Sequence, residues 1–272
     1  MTLEKPSSTL VLRRKVVFGQ IDFINCLPVT VPMLADMPDG LSLEFATPGE
    51  LNRRFAQGLL DIGAMSAHFF LSRDDFELID TLSISGQNSV GSVLFFSRVP
   101  LNQLTRVAVP LSSQTSVNLL RLLLLNEFGV TPEFSAGIDP RPEDNEGTLL
   151  IGDPALAADR RTLPGLTRYD LAAWWHRLFG LPMVFGVWAA RKSYVRENPE
   201  DFAALKAYLG TLPAIGLSGK FAEVLRVAQK RTELSSSRLE RYYLEELDFH
   251  FDDSQAQGLK LFGELCRRQQ LI

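Results

Sequence analysis

The stretch from Arg106 to Gly129 constrains this chain most, because it reads as a short buried strand, a polar turn and a long buried helix. Arg106 to Val109 is apolar and β-branched enough for a strand, and Pro110 closes it because proline cannot donate to a ladder. The run from Thr115 to Phe128 is too long for a strand. It is apolar nearly all round, with Asn118 and Arg121 as one narrow polar stripe, so it predicts a helix covered on most faces and stopped by Gly129. Between strand and helix lie Ser112, Ser113, Gln114, Thr115 and Ser116, at a helix start whose first N–H groups have no intrahelical partner. Two readings meet at this turn: a bound anion or carboxylate, or simple N-capping by serine and threonine. Five such side chains in succession exceed what a cap requires.

Strand, turn and helix recur along the rest of the chain. Lys15 to Ile21 reads as a first strand, Phe23 to Pro28 as the turn after it, and Val29 to Leu34 as a short helix ending near Pro38-Asp39-Gly40. Leu41 to Ala46 alternates as a strand, and Pro48 opens a helix with Leu51, Phe55, Leu59 and Leu60 inward. Asp61 to Met65 is a short strand, with Ser66 starting the next helix. Leu78 to Ile84 and Val90 to Phe96 are extended runs separated by turn chemistry at Ser85 to Ser89. Because a strand–helix unit restarts at Arg106, the end of the second run at Ser97 marks a first crossing between lobes. Thr148 to Ile151 runs as a strand into Gly152-Asp153-Pro154, where Asp153 takes the place of an N-cap and Pro154 that of a first-turn proline. Tyr169 to Phe179 reads as a Trp-rich helix stopped by Gly180, and Pro182 to Ala190 as an apolar strand leading back, the second crossing. From Asn198 onward the pattern is helical, with a Ser237-x-x-Glu240 capping box and a last helix from Ser254 to Gln269; Tyr242 and Tyr243 read as packing.

This pattern predicts an α/β fold of two lobes, residues 1–97 with 190–272 and residues 98–189, joined by two crossings. Strands alternating with helices predict mostly parallel sheets, whose ligands sit outside the carboxyl ends of the strands. The polar corners at those ends are Asn25, Ser66, Ser85 to Ser89, Ser112 to Ser116 and Gly152-Asp153, and they divide between the lobes. A ligand is therefore expected in the cleft.

A length of 272 residues suits one large or two smaller cores, and 46% hydrophobic with 22% charged residues is ordinary for a globular protein. With a net charge of −4, no nucleic-acid or membrane partner is expected, and the partner is a small molecule. Cys26 and Cys266 lie far apart and His68, His176 and His250 are scattered, so neither a metal nor a redox spacing is present and no cofactor is expected. Met1 to Val17 holds only Leu10-Val11-Leu12 before Arg13-Arg14-Lys15, short of a secretory apolar core, so a cytoplasmic location is expected. The phosphate loop, the dinucleotide glycine fingerprint, the Gly-x-Ser-x-Gly elbow and His-Glu-x-x-His are all missing from the sequence. Cys26 has no predictable histidine partner and reads as a buried thiol, while His68 beside Phe69 and Phe70 reads as packed or surface.

In order from Lys15 to Arg191 the chain holds the short motifs Phe23-Ile-Asn-Cys-Leu-Pro28, Pro48-Gly-Glu-Leu-Asn-Arg53, Asp61-Ile-Gly-Ala-Met-Ser66, Ser92-Val-Leu-Phe-Phe-Ser97, Ser113-Gln-Thr-Ser-Val117, Leu150-Ile-Gly-Asp153, Tyr169-Asp-Leu-Ala, Gly180-Leu-Pro and Phe185-Gly-Val-Trp188. As a set they resemble the menaquinone-biosynthesis chorismate dehydratases. The resemblance implies a two-lobed fold like the type 2 periplasmic solute-binding proteins. It also implies removal of water from chorismate, a dicarboxylate, in the futalosine route to menaquinone. Asn25 and Ser92 match that family's active-site asparagine and serine, so they carry the catalytic expectation. Ser66, Ser113, Gln114, Thr115, Ser116, Gly152 and Asp153 carry the expectation of substrate binding.

Three positions depart from the family's pattern: Cys26 where a hydroxyl residue is common, Ala67 in place of a second serine, and Gly91 where arginine often precedes the serine. These departures keep two other readings open. One is a sister enzyme of the same route that makes 1,4-dihydroxy-6-naphthoate; the other is a non-catalytic cytoplasmic solute-binding protein, since function does not follow from fold.

Overall fold

The alternation of apolar strand runs with amphipathic helices builds two five-stranded sheets rather than one. The computed structural model describes residues 10–159, 161 and 163–272; residues 1–9, on which part of the N-terminal reading and of the first lobe falls, lie outside the described residues. Strands β1 (Val11–Ile21), β2 (Asp39–Ala46), β3 (Ile62–Ser66) and β4 (Phe76–Gly86) belong to the first sheet. Strands β5 (Val93–Ser97), β6 (Arg106–Pro110), β7 (Glu133–Gly137), β8 (Gly147–Ile151) and β9 (Thr167–Asp170) form the second. The chain then returns with β10 (Met183–Arg191) to complete the first sheet in the order β2-β1-β3-β10-β4, while the second runs β7-β6-β8-β5-β9. The two sheets thus share one topology, each with a crossing strand inserted next to its last.

Those crossing strands correct two expectations. Residues 93–97 pair with β8 and β9 in the second sheet, and residues 183–191 pair with β3 and β4 in the first, so each sheet holds a strand that the sequence reading gave to the other lobe. The chain changes sheets in the turn after Gly86 and again after the helix Leu171–Phe179, earlier than Ser97 and Ala190. Nor are the sheets mostly parallel throughout. β1 pairs with β2 and β3 in parallel, as β6 does with β7 and β8, but β10 and β5 run antiparallel to both their neighbours. The reason is topological: a strand arriving from the other lobe enters at the cleft end, where the parallel strands finish, and must run against them.

Buried apolar side chains fix β10 inside its sheet, between β3 and β4. Val187, Trp188, Ala189 and Ala190 are all fully buried. The Trp188 indole N–H donates to the Gln20 Oε1 at 3.2 Å, and Gln20 Nε2 donates to Thr30 Oγ1 at 2.9 Å, so these buried polar groups pair with one another. The helix Gln114–Phe128 ends at Gly129 as its sequence predicts. The Trp-rich helix starts later than expected, at Leu171, because Asp170 is its N-cap and Thr167–Asp170 is itself strand.

After β10 come the helices Pro199–Leu217, Phe221–Thr232, Ser236–Arg241 and Asp253–Arg268. The expected Ser237–Glu240 capping box does not form; Ser235, in extended conformation, caps that helix by accepting from Arg238 N at 3.3 Å, and the capping box is made by Asp252 with Gln255. Among the described residues no helix is long and apolar enough to cross a membrane.

Candidate active site

The strand ends of the two sheets face each other across a cleft whose empty space, open solvent included, is about 570 Å³. The first sheet supplies Ile21 and Ile84 from β1 and β4, Asn25 from the turn after β1, Ser66 from the end of β3, and Phe185 with Gly186 from β10. The second supplies Ser92 and Val93 at the start of β5, Ile151 and Gly152 at the end of β8, and Ser113, Thr115 and Ser116 at the start of the buried helix. Of the nine expected site residues, seven therefore line one cavity. Its wall is apolar apart from hydroxyls, one amide and backbone, and among the described residues no Lys, Arg, His, Asp or Glu side chain belongs to it.

Three of the hydroxyl oxygens already accept from protein N–H groups. Ser66 Oγ, the N-cap of the helix Ala67–Leu71, accepts from Phe69 N at 3.3 Å and from Asn52 Nδ2 at 2.9 Å. Thr115 Oγ1 accepts from the backbone N–H of His68 at 3.0 Å, a bond that joins the two halves of the cleft wall. Ser113 Oγ caps its helix by accepting from Ser116 N at 3.3 Å. A hydroxyl whose oxygen is occupied by donors has its own hydrogen to give, so these groups face the cleft as donors. With the N–H groups at the helix start, they have the chemistry to accommodate an anion without a charged side chain. Capping and anion binding are thus compatible at this turn: the serine caps with its oxygen and donates with its hydrogen.

Asn25 is distinguished differently. Its Oδ1 is buried without a hydrogen-bond partner among the described residues. A buried acceptor left open on a cavity wall fits a donor on a ligand. Ser92 is buried, its Oγ donates to Val90 O over a long 3.3 Å, and its carbonyl accepts from Gly152 N at 2.7 Å.

Two expected residues are not on the wall. Gln114 is exposed, and its Oε1 accepts from Asn52 Nδ2 at 3.4 Å outside the cleft. Asp153 turns away as well: its carboxylate accepts from Ile24 N at 3.1 Å and lies 3.4 Å from the Arg231 guanidinium, which also holds Asp22 at 2.8 Å. Burial raises the Asp153 carboxyl above the usual carboxylate range, against the opposing pull of the Ile24 N–H and Arg231. An anionic side chain would also repel an anion in the cleft, and these bonds make Asp153 a tie between the halves. Cys26 and Ala67 are buried and are not lining residues, and burial pushes the Cys26 thiol far above its ordinary value, which leaves no thiolate nucleophile. The His68 ring points to the Leu271 carbonyl at 2.9 Å, and burial lowers its pKa.

Gly152 has a steric role. Its φ of +61° lies in the left-handed region, and a Cβ there would stand 3.1 Å from the Phe23 ring across the cleft. Gly152→Ala should lower stability by about 1–2 kcal/mol from the backbone alone. It should also weaken ligand binding by displacing Phe23. Thermal unfolding and a binding titration of the variant check both effects.

Sequence reasoning missed the residues that hold the wall in place. Asp170 accepts from Gly91 N at 2.8 Å and Val90 N at 3.0 Å as well as capping its own helix, so it fixes the backbone that presents Ser92. Asn52 pins Ser66. In the sequence Asp170 lies inside a run that reads as helix from Tyr169, which hides both its cap and its hold on Gly91.

A model of the family described as menaquinone biosynthesis matches residues 16–268. A chorismate dehydratase of Thermus thermophilus is 33% identical over 244 residues, which cover 83% of this chain and 87% of that protein. One from Campylobacter jejuni is 27% identical over 259 residues, or 93% and 98% of the two chains. Among solved structures, a protein of Archaeoglobus fulgidus matches with a TM-score of 0.75 at 19% identity, over 95% of this chain and 98% of that one. The periplasmic aliphatic sulphonate binding protein of Escherichia coli matches with a TM-score of 0.65 at 14% identity, over 97% and 89%. These structural likenesses establish the fold as that of the periplasmic binding proteins.

Proposed function

This chain belongs to the menaquinone-biosynthesis family, and from that premise we infer that it is a chorismate dehydratase, which removes water from chorismate to give 3-[(1-carboxyvinyl)oxy]benzoate. The observation that carries the reading is the cleft wall: hydroxyl donors gathered at a helix start, an open amide acceptor at Asn25, and no charged side chain. Chorismate has two carboxylates for the donors and one ring hydroxyl for the amide. In the reaction the ring carbon bearing the ether loses its proton, the neighbouring C–O bond breaks with its electron pair on the oxygen, and the departing hydroxyl takes up a proton to become water. Aromatisation drives the step, so the protein's task is orientation and hydrogen bonding.

Thr115, Ser116 and the first N–H groups of their helix hold a carboxylate in this account, with Ser66 and Ser113 donating from the two sides. Asn25 Oδ1 accepts from the substrate's hydroxyl and fixes its direction, and Ser92 donates to the same oxygen as negative charge grows on it. The wall offers no group that is a base at neutral pH, so the proton acceptor comes with the substrate, as one of its own carboxylates. We place the enzyme among the carbon–oxygen lyases and in the cytoplasm, a setting that two free, buried cysteines fit. Opening of the cleft would be a hinge at the two crossings, released as Asp153 parts from Ile24.

Titration with chorismate alongside a product assay tests this reading. Consumption of chorismate at catalytic protein concentration supports it. Saturable binding with chorismate recovered intact would instead mark a solute-binding protein, the activity that the fold alone would allow.

A further inference from the structure

Tyr242 is fully buried, and its hydroxyl has no hydrogen-bond partner of good geometry among the described residues. Its neighbour Tyr243 shows what an ordinary buried tyrosine does here: that hydroxyl donates to Ile24 O at 2.8 Å. Tyr242 opens a single π-helical turn, Tyr242–Glu246, a rare form that is frequent at functional sites. The turn packs on the residue before Ser92. A Cβ at Gly91 would meet the ends of the Glu246 and Arg238 side chains, which lie against this backbone, and the φ of +63° there favours glycine. Asp170 holds Val90 and Gly91 by their N–H groups, which fixes the same backbone from the β9 side.

Ser92 is the polar side chain that the phenol meets: its hydroxyl works against the strong upward push of burial on Tyr242. That push keeps the phenol protonated, so it can donate a hydrogen bond and does not serve as a base. Ser92 Oγ has room for such a donor, since its present bond, to Val90 O at 3.3 Å, uses only its hydrogen.

We propose that Tyr242 is a positioning residue for Ser92, donating its phenolic O–H to Ser92 Oγ so that the serine's own hydrogen is released from Val90 O and turned into the cleft. A donor on Oγ also polarises the serine hydroxyl and makes it the better donor to a departing oxygen. The inference rests on the dehydratase reading of this site. It places a residue from the C-terminal helices behind a wall built by the two lobes.

Tyr242→Phe removes one hydroxyl and keeps the ring. Thermal unfolding should give a Tm equal to or above that of the wild type, because no good hydrogen bond is lost. Turnover of chorismate should fall roughly tenfold in kcat, with KM changed by less than about twofold. In a Ser92→Ala background the same substitution should change kcat by less than about twofold, because the group through which it acts is gone. Retained kcat, a change carried by KM, or the same factor lost in the Ser92→Ala background would each overturn the inference and leave the dehydratase reading intact. A wild type that turns over no chorismate would sink both.

Discussion

Ser92→Ala and Asn25→Leu should each lower turnover of chorismate by about a hundredfold or more while changing substrate affinity only several-fold. Asn25 Oδ1 is buried and open, and Ser92 is buried on the facing wall, so in the proposed reaction both would meet the substrate where the C–O bond breaks. Groups that act mainly as charge develops lower kcat and kcat/KM together, and a misplacement of about 1 Å can cost a hundredfold in rate. Removing one donor to a developing oxyanion costs about 10²–10³ in other enzymes. Steady-state kinetics with a separate binding titration of each variant provide the check. Near-normal turnover in both would mean that the elimination takes place elsewhere in the cleft.

The second large effect is expected in binding. Thr115→Ala combined with Ser116→Ala removes two hydroxyl donors from the start of the buried helix but leaves its cap, Ser113, in place. A hydrogen bond to a charged group contributes about 1.5–3 kcal/mol, so the pair should weaken chorismate by about 3–6 kcal/mol, or roughly a hundredfold to ten-thousandfold in Kd. His68 N loses its acceptor in the same variant, so a modest fall in Tm accompanies the loss. If Tm falls and Kd stays, these residues only cap and bridge.

The parts of this site that were legible in the sequence are those written into strand-to-helix corners. Ser66, Ser113, Thr115 and Ser116 sit at helix starts, where residue type and position along the chain are enough to place a donor at a strand's carboxyl end. Gln114 and Asp153 stand at the same corners, yet their side chains turn outward to Asn52 and to Arg231, because helix geometry swings successive residues to different faces. Sheet membership was not legible. The runs 93–97 and 183–191 were recognisable as strands from their β-branched and aromatic residues, but local pattern carries no record of which sheet a strand joins. Tyr242 was invisible for a related reason. Nothing near it in sequence announces Ser92, and only the packing of the π-helical turn against Gly91 brings the two together.

The most direct test of the central claim is a proton NMR time course of chorismate with a small molar fraction of the purified protein. The account predicts that the ring signals of the diene give way to those of a meta-substituted aromatic ring while the enolpyruvyl protons persist, at a rate proportional to protein concentration. Chorismate signals that stay unchanged, or an aromatic product that appears with release of pyruvate, would contradict it.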